Sequence, residues 1–227
     1  MSRFSIIALA MLVITTGCST HKPQPLQSQQ AASGDWTLPY DKWGFGFITP
    51  WKLPAVVTHA RVIDTDGYLH TFNTLDPTSE ASDSVGKWFN NPHGSGFQFN
   101  KVKKPPQYMI FCWESYIDQK TYETSAMFAP DTWLRMKTPA SDPHASDDPV
   151  WFDTILFGLA PGGHVKTWFP AKGDYPALPF TPFKLTTRSG NEMTLCKNYV
   201  VPGGYYAFIP ATQDFIKGKT YPYGNWD

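Results

Sequence analysis

From Trp43 onward the apolar residues come in short runs broken by Pro, Gly and Asp, without the three-to-four spacing of an amphipathic helix. Residues 43–48 (WGFGFI) alternate aromatic side chains with glycine and stop short of Pro50. Residues 56–63 (VVTHARVI) run into Asp64-Thr65-Asp66-Gly67, and 68–72 (YLHTF) return, so the Asp-Gly pair predicts a hairpin turn. Residues 108–116 (YMIFCWESY) and 120–128 (KTYETSAMF) form a second predicted antiparallel pair. The most apolar run, 150–159 (VWFDTILFGL), turns through Ala160-Pro161-Gly162-Gly163 into 164–169 (HVKTWF). Further strands are predicted at 183–187, 193–199 and 205–209. One helix is predicted, over 131–137 and ending before Pro139, with Asp131 as its N-cap. The polar stretches 73–96 (broken by Trp88-Phe89) and 141–149 read as long loops, and the aromatic tail 217–227 as irregular chain that packs down. The expected fold is all-β: a single antiparallel sandwich-like domain with one short helix, over residues 36–227.

The first 35 residues follow a different pattern. Arg3 precedes an apolar run, 4–14, which is shorter than the roughly twenty residues a membrane-spanning helix needs. A basic start, a short apolar middle and small residues at its end predict a secretory signal peptide over 1–17. Thr15-Thr16-Gly17-Cys18 resembles the bacterial lipobox, which implies cleavage before Cys18 and lipidation of its thiol. Residues 18–35 are then a polar, Gln- and Ser-rich tether, too poor in apolar surface to offset its ordering entropy. The sixteen residues 19–34 would reach about 20–25 Å on average. Ser19 stands where aspartate would mark inner-membrane retention, so the expected location is the periplasmic side of the outer membrane.

Charge narrows the partners. The chain carries 19 basic and 19 acidic side chains, and removal of 1–17 takes away only Arg3. That balance gives no footing for nucleic acid, and leaves the N-terminal lipid as the expected membrane contact. With Cys18 acylated, Cys112 and Cys196 remain, both in apolar segments. In an oxidising compartment they are either a disulfide or two separate buried thiols, and spacing does not decide between them.

Catalytic chemistry finds little purchase. No histidine pair has the helical i, i+4 spacing of a zinc protease, and no cysteine pair has zinc spacing. His59 and His70 would face each other across the first hairpin but lack a third ligand. Gly94-Ser95-Gly96 only half resembles a nucleophile elbow, and lies in a polar loop. Glu114, with Asp118 and Glu123 nearby, is a candidate for the paired carboxylates of glycoside hydrolysis; the alternative is an outward Glu114 paired with Lys120. No cofactor is expected.

Several phrases together carry a resemblance. Lys104-Pro105-Pro106-Gln107-Tyr108-Met109-Ile110 leads to Trp113-Glu114-Ser115, Gln119-Lys120-Thr121-Tyr122 and Phe128-Ala129-Pro130. Phe152-Asp153 and Phe157-Gly158-Leu159-Ala160-Pro161-Gly162-Gly163-His164-Val165 follow, and Trp43-Gly44-Phe45-Gly46 stands ahead. In this order the chain resembles a bacterial lipoprotein family catalogued as domain of unknown function 2931. The resemblance brings no catalytic residues. Some similar lipoproteins serve as periplasmic immunity proteins against lipase toxins delivered by type VI secretion, which implies a non-enzymatic, partner-binding protein here. On that reading the two long loops face the toxin: Trp88 and Phe89 as aromatic anchors in the first, Asp142, Asp147 and Asp148 as an acidic patch in the second. The alternatives are that Trp88 and Phe89 staple their loop to the core, that the protein binds envelope glycan or peptidoglycan, or that it is a hydrolase.

Overall fold

A computed structural model describes residues 31–94, 96–140, 149–199 and 209–227. Cys18, Asp142, Asp147, Asp148, the signal peptide, most of the tether and most of the strand expected at 205–209 lie outside them.

Two sheets pack face to face. The first contains β1 (Trp43–Pro50), β4 (Ser79–Ala81), β5 (Lys101–Val102), β8 (Thr154–Ala160), β9 (His164–Phe169) and β10 (Leu178–Phe180). Its strand order is β10-β9-β8-β1-β4, with β5 paired to the start of β1. The second contains β2 (Ala55–Asp64), β3 (Leu69–Phe72), β6 (Pro106–Ser115), β7 (Lys120–Met127) and β11 (Lys184–Ser189), in the order β11-β7-β6-β2-β3. The all-β sandwich and the three expected hairpins are present. The second sheet is antiparallel throughout, but the first is mixed, because β1 runs parallel to both β8 and β4. Parallel pairing of β1 with β8 joins segments 110 residues apart, which no local turn signal announces.

Aromatic rings fill the space between the sheets. Phe47 meets Phe111 at 5.0 Å and Phe157 at 5.7 Å, and Phe111 meets Phe157 at 5.1 Å. Trp43, Phe45, Ile155 and Leu159 extend this layer against Val62, Met109 and Trp113. Every residue of β1 and β8 is buried, since the outer face of their sheet is covered as well. Its cover is a second aromatic cluster of Trp88, Trp168 and Trp226, with Phe97, Phe215 and Ile216 packed on it. The tail therefore packs down as its composition suggests, with Trp226 buried.

Two helices are described, α1 (Pro130–Lys137) and α2 (Pro210–Ile216). The N-cap of α1 is Ala129, with no side-chain cap, rather than Asp131. Pro130 occupies the first turn, where its missing N–H costs nothing, and Asp131 instead faces the positive end of the helix dipole. α2 starts on Pro210 in the same way and was not expected. Segment 193–199, expected as a strand, forms part of a cover built on two short 3-10 turns, Gly190–Glu192 and Cys196–Asn198. Its amides have a better acceptor than a neighbouring strand: the buried Glu123 carboxylate on β7 takes the N–H of Thr194 and of Cys196, each at 2.9 Å, and the Thr194 hydroxyl. Cys196 and Cys112 form a disulfide, with Cα atoms 5.4 Å apart, which pins this cover onto the outer face of the second sheet.

His59 is sealed beneath the same cover. It is fully buried, and Tyr199 stacks on its ring at 3.8 Å. Its Nδ1 lies 3.0 Å from Asn73 Oδ1, and its Nε2 accepts from Arg61 Nε at 3.3 Å, an arrangement that suits a neutral imidazole. Burial and the Arg61 charge push the His59 pKa below its ordinary value, outweighing the Asn73 bond. Unfolding releases a histidine that binds protons more readily, so stability should fall as pH drops from 6.5 through the folded pKa. Urea unfolding between pH 7 and 5 should show this slope, and His59→Gln should flatten it. The other strand histidine, His70, bonds Asp64 at 2.7 Å instead of facing His59.

Candidate functional site

The strand directions give the molecule two poles. β1 starts, β2 ends and β6 starts at one of them: Trp43 Nε1 donates to Lys104 O at 2.7 Å, and Thr65 N to Pro105 O at 2.8 Å. Residue 32 arrives there, its N–H bonded to Thr65 O at 2.7 Å. This is the N-terminal pole. The opposite, distal pole gathers the β1–β2 turn, the β6–β7 turn, the β8–β9 turn, residues 84–87 and the tail near Tyr221.

Asp118 organises the distal pole. Its carboxylate accepts from Tyr221 Oη at 2.7 Å, from Gly162 N at 2.9 Å and from Tyr122 Oη at 3.2 Å. One side chain thus ties the β6–β7 turn to the β8–β9 turn and to the C-terminal tail. Burial together with the Asp118 carboxylate pushes the Tyr221 phenol up to about 12, so it stays a donor at any physiological pH. The β8–β9 turn depends on glycine here. Gly162 and Gly163 have φ of 86° and 81°, and a Cβ on Gly163 would sit 2.9 Å from the Tyr122 ring. The Ala-Pro-Gly-Gly phrase is therefore a docked turn.

Side chains at this pole offer contact area. Val85 is 51% exposed and Tyr221 52% exposed. Trp51 is half-buried, with Lys52 Nζ 3.8 Å above its ring and paired with Glu80 at 3.7 Å. Trp51 N bonds Ser84 O at 3.2 Å, and Asn225 N bonds Gly86 O at 3.0 Å, which joins the 84–87 segment to both neighbours. The arrangement can bind: a stitched platform with exposed apolar and aromatic tips.

The residues expected to contact a partner are distributed differently. Trp88 is buried, with its Nε1 donating to Trp226 O at 2.8 Å and its ring edge-on to Trp168 and Trp226. Phe89 is half-buried on the same cluster. Both have the geometry of the stapled loop. The flanks of the 141–149 loop, Ala140 and Val150, are hydrogen-bonded to each other close to α1 at the N-terminal pole, away from Asp118. Glu114, the candidate hydrolytic acid, is fully buried on β6 opposite Val56 and Thr121, on the face of the sheet that also carries Cys112. Glu123 and Asp118 are occupied as described above. Gly94 packs against Pro170, with its neighbour Ser95 outside the described residues. Among the described residues, no three His, Cys, Asp or Glu side chains come close enough to hold a metal ion. Sequence reasoning missed Asp118, Val85 and Tyr221 as members of one surface. The paired glycines after β8 were a local signal for the turn, but their acceptor lies 44 residues earlier.

The chain matches no curated protein and no solved structure. A family model described as a protein of unknown function, DUF2931, matches residues 19–224, which span both sheets, the disulfide and the distal turns. The chain belongs to the DUF2931 family.

Proposed function

We propose that this protein is a lipid-anchored, periplasm-facing immunity protein that binds a secreted toxin of lipase type, and that the distal pole is its toxin-binding surface. The observation that carries the reading is the polarity of the fold. The chain enters at one pole, and a platform stitched by Asp118 presents Val85, Tyr221 and Trp51 at the other. A protein anchored through Cys18 on a polar tether would offer that platform to solutes of the periplasm. Anchoring also concentrates an inhibitor at the membrane that a lipase attacks.

A binding role also suits the chemistry of the interior. Glu123 holds backbone N–H groups of the disulfide cover, Asp118 holds a turn and a tail, and His59 is sealed between Asn73, Arg61 and Tyr199. These are the groups that acid–base catalysis would otherwise draw on, and each has a structural task.

The test is complex formation between the full-length protein, in detergent, and the toxin encoded beside it. We expect a stable complex with the native chain and at least about a tenfold loss of affinity for Val85→Glu, which places an uncompensated charge in the interface. Val85 is half exposed and belongs to neither large hydrophobic cluster, so the variant should fold as the native chain does. Unchanged affinity for Val85→Glu and Tyr221→Ala together would move the interface off the distal pole. Absence of any complex would remove the immunity reading.

A further inference from the structure

The N-terminal pole carries a cleft that the binding reading does not use. It is an open hollow of about 410 Å³ between the start of β1, the start of β8 and the chain after β9. Lys42, Lys101 and Lys172 line it, together with Asp41, Asp153 and the Phe97 ring. Asp153 is engaged, accepting from Lys172 and from the Thr154 hydroxyl. Lys42 and Lys101 are exposed and, among the described residues, have no carboxylate within salt-bridge distance. The cleft thus holds three lysines against two aspartates, a net surplus of one positive charge, with Lys42 and Lys101 outside any salt bridge.

The wall that Phe97 forms is built deliberately. The ring lies flat over β1 because residues 44 and 46 are glycine: a Cβ at Gly44 would come within 2.7 Å of Phe97, and one at Gly46 within 2.4 Å. The loop behind the ring is clipped by Asp76, whose carboxylate accepts the N–H groups of Gln98, Phe99 and Asn100 at 2.9, 3.0 and 3.0 Å. Burial disfavours the Asp76 charge, but these amides and Lys101 outweigh it and hold its pKa below the ordinary carboxylate value. An apolar wall held by glycine contacts and the Asp76 clip therefore lines the same hollow as the lysines.

We propose that this cleft binds a phosphate group, held by Lys42 and Lys101 with Lys172 completing the rim. Two lysines outside any salt bridge, with Lys172 shared with Asp153, line one hollow from separate segments and suit a tetrahedral anion with several acceptor oxygens. A planar carboxylate is matched better by an arginine fork, and among the described residues no arginine lines the cleft. Two sources supply that chemistry, a soluble phosphate or phosphate ester and the headgroup of an anionic phospholipid. The second source rests on the anchored reading given above, because the cleft opens at the pole where residue 32 enters.

Full-length protein reconstituted in vesicles of phosphatidylcholine, with and without phosphatidylglycerol, distinguishes the sources. The readout is acetylation of each lysine, followed by mass spectrometry. Lys120, exposed at the distal pole, is the internal control. Several-fold protection of Lys42 and Lys101, but not Lys120, on adding inorganic phosphate or glycerol 3-phosphate to phosphatidylcholine vesicles supports a soluble ligand. Protection that requires phosphatidylglycerol supports the headgroup. In Lys42→Gln/Lys101→Gln the phosphate-dependent protection of Lys172 should disappear. Protein that fails to stay with phosphatidylcholine vesicles refutes the anchor, while the soluble-phosphate arm still tests the cleft. Lysine reactivity that responds to neither phosphate nor phosphatidylglycerol overturns the proposal.

Discussion

Replacing Cys112 and Cys196 by serine is expected to cost about 4.5 kcal/mol of folding stability, the scale set by closing a loop of this length. For a domain of this size, that corresponds to a fall in melting temperature of roughly 10 °C. Part of the effect would be local. The disulfide holds the 3-10 cover against β6, and Glu123 then supplies the acceptor that its amides need. Without the bond, Tyr199 is freed from its stack on His59, and Met193 and Leu195 lose their packing around Cys112. Denaturant unfolding of native, reduced and double-serine protein measures the loss. Equal midpoints for all three would show that the disulfide contributes nothing to the stability of the sandwich.

Trp88→Ala is expected to destabilise the fold by about 3–5 kcal/mol, the range for deleting a large aromatic from a packed cluster. The Trp88 ring fills the space between Trp168, at 5.7 Å, and Trp226, at 5.2 Å, and its N–H satisfies the Trp226 carbonyl. Truncation opens a cavity on the outer face of the first sheet and leaves that carbonyl without its indole donor. Tail and loop should therefore loosen together, as a lowered melting temperature with increased proteolysis near residues 84–90 and 217–227. A stable Trp88→Ala protein with impaired toxin binding would reverse this assignment and make Trp88 an interface anchor.

The legible parts of the sequence were those governed by nearest neighbours. Asp66-Gly67 announces its hairpin, and 108–116 with 120–128 announces the centre of the second sheet. The parallel partnership of β1 with β8 was not legible, because strand periodicity specifies faces and says nothing of which distant edge will pair. Segment 193–199 carried an apolar strand-like pattern, yet a buried carboxylate and a disulfide recruited its backbone. Short β4, β5 and β10 gave no pattern of their own, being two or three residues long. The aromatic pair Trp88-Phe89 was visible as an anchor, whereas its direction, inward, depends on a tail almost 140 residues away. The lysines of the N-terminal cleft lie at positions 42, 101 and 172, so only the folded topology brings them to one rim.

The measurement closest to the central claim is hydrogen exchange of the full-length protein, alone and with the toxin encoded beside it. Amide protection on binding should concentrate at 50–54, 84–87, 160–164 and 220–225, the segments that Asp118 and its neighbours join at the distal pole. The N-terminal pole should exchange equally in the free and bound protein. Protection confined to the N-terminal pole, or none anywhere in a mixture that contains the toxin, would contradict a partner-binding protein that works from its distal end.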